Sequence, residues 1–332
     1  MKHLMRSHRM RVALLALIGA FPVRVLAGVE PPPLPEMPPG FLKAWGEFGN
    51  GPGQFSWAQG IAIDQTGIVY VVDQGNARVQ KFGAFSSFIA QWRPAPGTPE
   101  MFQDPSGIAV DQQGYVYVAD ICRIRKFTSD GVVVSAWGNP DTCDLSVFGL
   151  TTDDSNYVYG VDYGRGRILK FTSDGTLVRS WGRPGAGPGE FNSPFGIAVS
   201  PDGFVYVGDS GNARVQKFTR NGTFVSMWGR RGDANGQFSG QPMWIAVDLD
   251  SKVYVTDWTR IQKFTGSGTF LSTWGSSGQG PGEFKGVGAI AVSPGYDIYV
   301  FDMQNERVQV FRYSMPTPTL TNTWGRIKNA YR

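Results

Sequence analysis

The chain has 332 residues, with 44 Gly, 22 Pro and 13% aromatic but only 17% charged residues. So many helix breakers exclude a helical bundle, and so many aromatics exclude a disordered chain; short strands joined by frequent turns fit best. The net charge of +4 arises from residues 1–27, which hold five basic residues and no acidic one; the remainder has 26 basic against 27 acidic residues, so the basic footprint of a nucleic-acid binder is missing.

Taken in chain order, residues 1–27 read as a secretory signal peptide: a basic start, an apolar run over 12–21 and small residues before a cleavage point after Ala27. The run is too short to span a bilayer as an uncleaved anchor, and no Cys follows it to carry a lipid. A secreted or periplasmic location is expected, with no membrane span after cleavage. Both histidines, His3 and His8, fall in this segment. The mature chain therefore lacks His-ligated zinc, Ser-His-Asp and Cys-His chemistry. Residues 28–40 are Pro-rich and read as an extended linker; docking to a Pro-binding domain is the alternative.

Residues 41–325 are repetitive, and 326–332 form a tail. A Tyr-x-x-Asp unit occurs six times, at Tyr70/Asp73, Tyr117/Asp120, Tyr159/Asp162, Tyr206/Asp209, Tyr254/Asp257 and Tyr299/Asp302. An Arg follows each Asp by three or five residues, and a Phe follows each Arg by four. In five units a Trp stands ten residues beyond the Phe; in the sixth the gap is 13, to Trp324. Each unit reads as four strands: an apolar first (Gly196-Ile197-Ala198-Val199), a Val/Tyr-rich second (Val205-Tyr206-Val207), an alternating third (Arg214-Val215-Gln216-Lys217-Phe218) and a fourth ending in Trp228-Gly229. Turn residues such as Pro201-Asp202-Gly203 separate them. Four strands in about 46 residues is the signature of a propeller blade. The predicted fold is all-β: a six-bladed β-propeller of four-stranded antiparallel blades.

Phe41-Leu42-Lys43-Ala44-Trp45-Gly46 is a seventh copy of the fourth strand. It is expected to complete the last blade and close the ring, which removes a free edge. The C-terminal copy, 321–325, then becomes surplus.

The string Asp209-Ser-Gly-Asn-Ala-Arg-Val-Gln-Lys-Phe218, preceded by Pro194-Phe-Gly-Ile-Ala-Val199, resembles the NHL repeat, across all six units and most strongly in units one, four and six. The resemblance implies a six-bladed propeller. It also implies functions that this chain does not match. One branch of the family, the peptidyl-hydroxyglycine lyases, holds zinc with His, and no matching His exists here. Another binds RNA through a basic face in the cytoplasm. A third forms the extracellular sensor domain of bacterial kinases, whose kinase and membrane segments this chain lacks.

Strand alternation puts the second-to-third turns and the inter-blade links on one face, and the first-to-second and third-to-fourth turns on the other. Long links make the first face the candidate binding surface. The six Asp/Arg pairs recur in every blade and read as architecture, as exposed pairs of ~0–1 kcal/mol each. The third-strand Lys is expected to hold its head in water, and the once-per-blade Trp to pack. What breaks the repeat is the candidate site: Trp57, Gln59, Ser106, Phe195, Met243, Trp244 and Trp258, with Trp57, Trp244 and Trp258 as exposed aromatic anchors. Cys122 and Cys143 fall on one face of one blade and are expected to be bridged after export. No cofactor is expected; Asp64 or Asp111 offers a weak case for calcium in the channel, although each also suits a turn cap. The reading is of a monomeric module that binds a protein, peptide or glycan, with a His-independent lyase or hydrolase at the channel mouth as the alternative.

Overall fold

The structure is a computed structural model that describes residues 35–84, 86–94, 101–139, 141–239 and 242–314, without the side chains of Pro242 and Met243. The segment expected to be a signal peptide, the start of the expected linker, the C-terminal strand copy and the tail lie outside the described residues.

The expected propeller forms. Blade 1 comprises Ala58–Ile63, Val69–Asp73, Arg78–Phe82 and Phe88–Trp92. Blades 2 to 5 begin with Pro105–Val110, Val147–Thr152, Pro194–Val199 and Pro242–Val247. Each adds three antiparallel strands in chain order. Blade 6 has Val287–Val292, Ile298–Asp302 and Arg307–Arg312, and its fourth strand is Gly40–Trp45 from the other end of the chain. There Phe41 pairs with Phe311 and Trp45 with Val308. The second strands are buried, as in Val69–Asp73, except at Phe204, which opens that of blade 4, because they lie between sheet neighbours and under the adjacent blades. They are accordingly continuous Val/Tyr runs rather than alternating ones.

The repeat Trp side chains join successive blades. Trp92, at the end of blade 1, meets Phe127 of blade 2, with centroids 6.5 Å apart; Trp228 meets Phe264 at 5.9 Å. Trp45 closes the cycle on Phe82 of blade 1 at 6.1 Å. The third-to-fourth turns of blades 2 to 5 cross over the preceding blade's ring so closely that a Cβ on Gly131 would lie 2.3 Å from Trp92, and on Gly175 2.5 Å from Trp137. Only glycine leaves room there, and the positive φ of 84° at Gly131 also favours it.

Two sequence expectations are corrected. The Asp/Arg pairs are not exposed: the Asp is 0% exposed in every blade, Arg78 and Arg214 are buried at 4% and 8%, and the other four Arg are half-buried. Arg78 Nε donates to Asp73 at 2.7 Å, while its Nη atoms reach the carbonyls of Asn50, Gly51 and Gln54. Asp73 Oδ1 accepts the Ser56 amide, and buried Gln80 donates to the Gln54 carbonyl. The link folds back over the pair, so pair and link bury each other. The third-strand Lys heads are also inside. Lys126 and Lys217 are 7% and 9% exposed, lie over Tyr117 and Tyr206, and donate to the carbonyls of Ser173 and Gly266 in the next blade. Blade 6 has no third-to-fourth turn to offer such a carbonyl, and Lys263 pairs with Glu36 instead.

Cys122 and Cys143 are bonded, with Cα atoms 4.7 Å apart. The bond ties the second-to-third turn of blade 2 to the link that leaves it. Among the described residues, no helix is long and apolar enough to cross a membrane.

Candidate functional site

The inter-blade links and second-to-third turns share a face, as their hydrogen bonds require: Gly75 in a turn donates to Ser56 in a link at 2.8 Å. Here the sequence-derived candidates separate. Gln59 and Phe195 are half-buried and Ser106 is buried. The Ser106 hydroxyl donates to the Phe148 carbonyl at 3.4 Å. The backbone of Met243 is in the first strand of blade 5; its side chain lies outside the described residues. Trp244 is not the exposed anchor expected: it is 8% exposed, with its ring at 5.2 Å and 89° to Phe195. Phe195 meets Phe148 at 4.6 Å and Tyr163 at 6.3 Å. These four rings from blades 3 to 5 pack together at the link-face end of the central channel. Phe148 occupies the same repeat position as Gln59 and Phe195, so the comparison that found those two also applies to it.

Trp57 and Trp258 are exposed, at 58% and 61%, and Phe48 is more so at 72%. All three surround the link-face end of blade 6. Phe48 and Trp57 belong to the link from blade 6 to blade 1, and the Trp57 amide donates to Glu306 of blade 6 at 2.9 Å. Trp258, in the turn of blade 5, accepts the amide of Val287, the first strand residue of blade 6. Trp57 and Trp258 have φ of 51° and 57°. Register puts Gly286 of blade 6 (φ 86°) and Ser193 of blade 4 at the position of Trp57. A left-handed backbone costs a bulky residue ~1–2 kcal/mol, and strain of this kind clusters at functional sites. Phe48 stands where other links have Pro184, Arg231 or Ser277, a break in the repeat that sequence comparison did not pick out.

The opposite face carries the open end of the channel, a cavity of about 380 Å³ walled by the C-terminal halves of the first strands. The carboxylates that follow the first strands are engaged. Asp111 Oδ1 accepts the Gln113 and Tyr115 amides and Oδ2 the Tyr117 hydroxyl at 2.8 Å. Asp64 is engaged in the same way by Thr66, Ile68 and Tyr70, Asp153 by Tyr159 and Asp248 by Tyr254. Burial, reinforced by these carboxylates, pushes the phenols of Tyr117 and Tyr159 well above their ordinary value. The two acids considered for calcium thus act as turn caps. Among the described residues, no group of three or more His, Cys, Asp or Glu is placed to hold a metal.

Fold and face together define a class: a six-bladed β-propeller with aromatic links on one face. The NHL repeat model matches residues 55–82 and 191–218, which carry the link, first, second and third strands of blades 1 and 4, so this propeller carries NHL repeats. No curated protein matches the sequence. Among solved structures, the chain is similar to a gluconolactonase from Xanthomonas campestris, at 15% identity over 86% of this chain and 99% of that one, with a TM-score of 0.62. It is also similar to a streptogramin B lyase, at 16% identity over 76% and 78% of the two chains and a TM-score of 0.57. A catalytically inactive virginiamycin B lyase from Staphylococcus aureus, solved with quinupristin, gives 15%, 80% and 82%, and 0.56. At these identities the likeness is one of fold.

Proposed function

We propose that the chain is an exported, monomeric, non-enzymatic binding module that takes a protein, peptide or glycan ligand on its link face, in the sector around blade 6. The observation that carries this reading is the gathering of Phe48, Trp57 and Trp258, all exposed, with both Trp residues on left-handed backbone and Trp57 at a position where blades 4 and 6 place Ser193 and Gly286. Rigid aromatics on a fixed scaffold are the usual anchors of an interface. Export is supported by the bridged cysteines. A lyase or hydrolase at the channel would need an acid or base free to reach its substrate, and the hydrogen bonding of Asp64, Asp111, Asp153 and Asp248 favours binding over such chemistry. Arg78, Arg214 and Arg307 are committed to their Asp partners and link carbonyls, which leaves the aromatics as the anchors. Probing immobilised glycans and peptides with the purified chain tests the reading. Retention of a ligand on the link face supports it; retention of none counts against it.

A further inference from the structure

The channel's open mouth breaks the six-fold repeat in a way that the link face does not explain. Deep in the cavity the wall is a ring of aliphatic side chains, Ile61 and its counterparts in each blade, with Leu150 in blade 3. They are 4–6% exposed, so this ring is apolar all round. The next two positions are Ala followed by Val or Ile in five blades, but Thr151 and Thr152 in blade 3. Thr152 donates its hydroxyl to the Val110 carbonyl at 2.8 Å; among the described residues, Thr151 makes no such bond. At the rim the halves of the ring differ in kind. Blades 1 to 3 present Gln65, Gln112 and Asp154, and blades 4 to 6 present Pro201, Leu249 and Pro294.

The rim charges are paired within the protein, although the buried Nε of Arg220 has no hydrogen-bond partner among the described residues. Asp154 accepts both Nη atoms of Arg220 at 2.8 Å, and the deeper Asp153 and Asp248 are held by turn amides and Tyr hydroxyls. A charged ligand would find no free counter-charge and would lose water without compensation. A cavity of about 380 Å³ lies within the ~300–1,000 Å³ range of small-molecule sites.

We propose that this channel is a second binding site, for a small uncharged amphipathic molecule that enters from the face of the first-to-second turns. Its apolar body lies against the aliphatic ring and the Pro201, Leu249 and Pro294 side. Its hydroxyl or amide group turns toward Thr151 and the Gln65, Gln112 side. The site is independent of the link face, and its occupant need not be that of the link face.

The test uses 2-naphthalenemethanol as the neutral probe and 2-naphthoate as its charged counterpart, added to the purified full chain and followed by equilibrium dialysis. Saturable one-to-one binding of the alcohol is expected, with the carboxylate at least about tenfold weaker because no cation is free to meet it. Thr151→Val, which removes one hydrogen bond, should weaken the alcohol by about threefold to tenfold. Ala246→Leu, which fills the cavity, should weaken it by at least about tenfold. Trp57→Gly, on the other face, should leave it unchanged, which separates this site from the link-face reading. Thermal melts of each variant check the fold, and Thr151→Val alone suffices where Ala246→Leu does not fold. Absence of saturable binding up to the solubility limit of the alcohol overturns the proposal. So does binding indifferent to Thr151→Val in folded protein, or naphthoate binding as tight as that of the alcohol.

Discussion

The backbone N–H of Trp57 donates to Glu306 Oε1 at 2.9 Å across the seam where the last blade meets the first. Glu306 is 7% exposed, and its Oε2 is buried without a hydrogen-bond partner among the described residues. Burial, with Asp73 alongside, raises its carboxyl above the ordinary value, although the amides of Trp57 and Ala58 oppose the shift. The native state therefore binds more protons than the unfolded chain between the ordinary and the raised pKa. Across that window, stability falls as pH rises. Glu306→Gln keeps an acceptor oxygen for Trp57 and removes the buried charge. It should raise stability at pH 7 by about 1 kcal/mol, with the gain disappearing as pH falls below the ordinary carboxyl range. Denaturant melts at pH 4 and pH 7 measure both.

Two ion pairs, one in the link that enters blade 4 and one beneath it, separate buried from exposed electrostatics. Arg214 and Asp209 are enclosed, with side-chain exposures of 9% and 0%, whereas Arg183, paired with Glu190, is 78% exposed. Arg214→Leu leaves Asp209 charged and unpaired in the interior and should cost ~3–5 kcal/mol. Arg183→Ala should cost ~0–1 kcal/mol. Chemical denaturation of the two variants gives the comparison.

Ring closure rests on Trp45, which packs on Phe82 of blade 1 and Tyr299 of blade 6. Trp45→Ala and the mid-ring Trp228→Ala should each cost ~3–5 kcal/mol, since both empty the same kind of inter-blade space. Similar losses in the two melts would show that the terminal strand is as fully integrated as an internal one.

The Cys122–Cys143 bond closes a loop of 21 residues in sequence separation, and its removal should cost ~2–4 kcal/mol. Intact mass after alkylation should show no free thiol before reduction and two after it, with a lower melting temperature in the reduced protein.

Blade count, closure by 41–46 and the Cys pairing were legible because they depend on pattern: Tyr70/Asp73 and its five copies fix the period, and a surplus Trp45-Gly46 needs an edge. Burial of Asp73, Arg78 and Lys217 was not legible. It depends on how a link or a neighbouring blade's turn folds over them, a long-range contact that local alternation does not encode. Trp244 misled for the same reason: a break in the repeat marks a different side chain, not its exposure, and here the difference is absorbed by Phe195 and Phe148. Phe48 lies in a glycine-rich link, and its departure from Pro184, Arg231 and Ser277 is visible only when the links are aligned position by position.

The central claim is that the exposed aromatics around blade 6 are kept for a ligand at a cost in backbone strain. Trp57→Gly together with Trp258→Gly tests it most directly, by comparing ligand retention on the glycan and peptide surfaces with melting of the same protein. Removing bulky side chains from left-handed positions should leave stability unchanged or higher by up to about 1 kcal/mol, while affinity falls by at least about tenfold. A variant that melts earlier and binds its ligand as tightly as the natural chain would contradict the account, because the two tryptophans would then serve the fold and not the ligand.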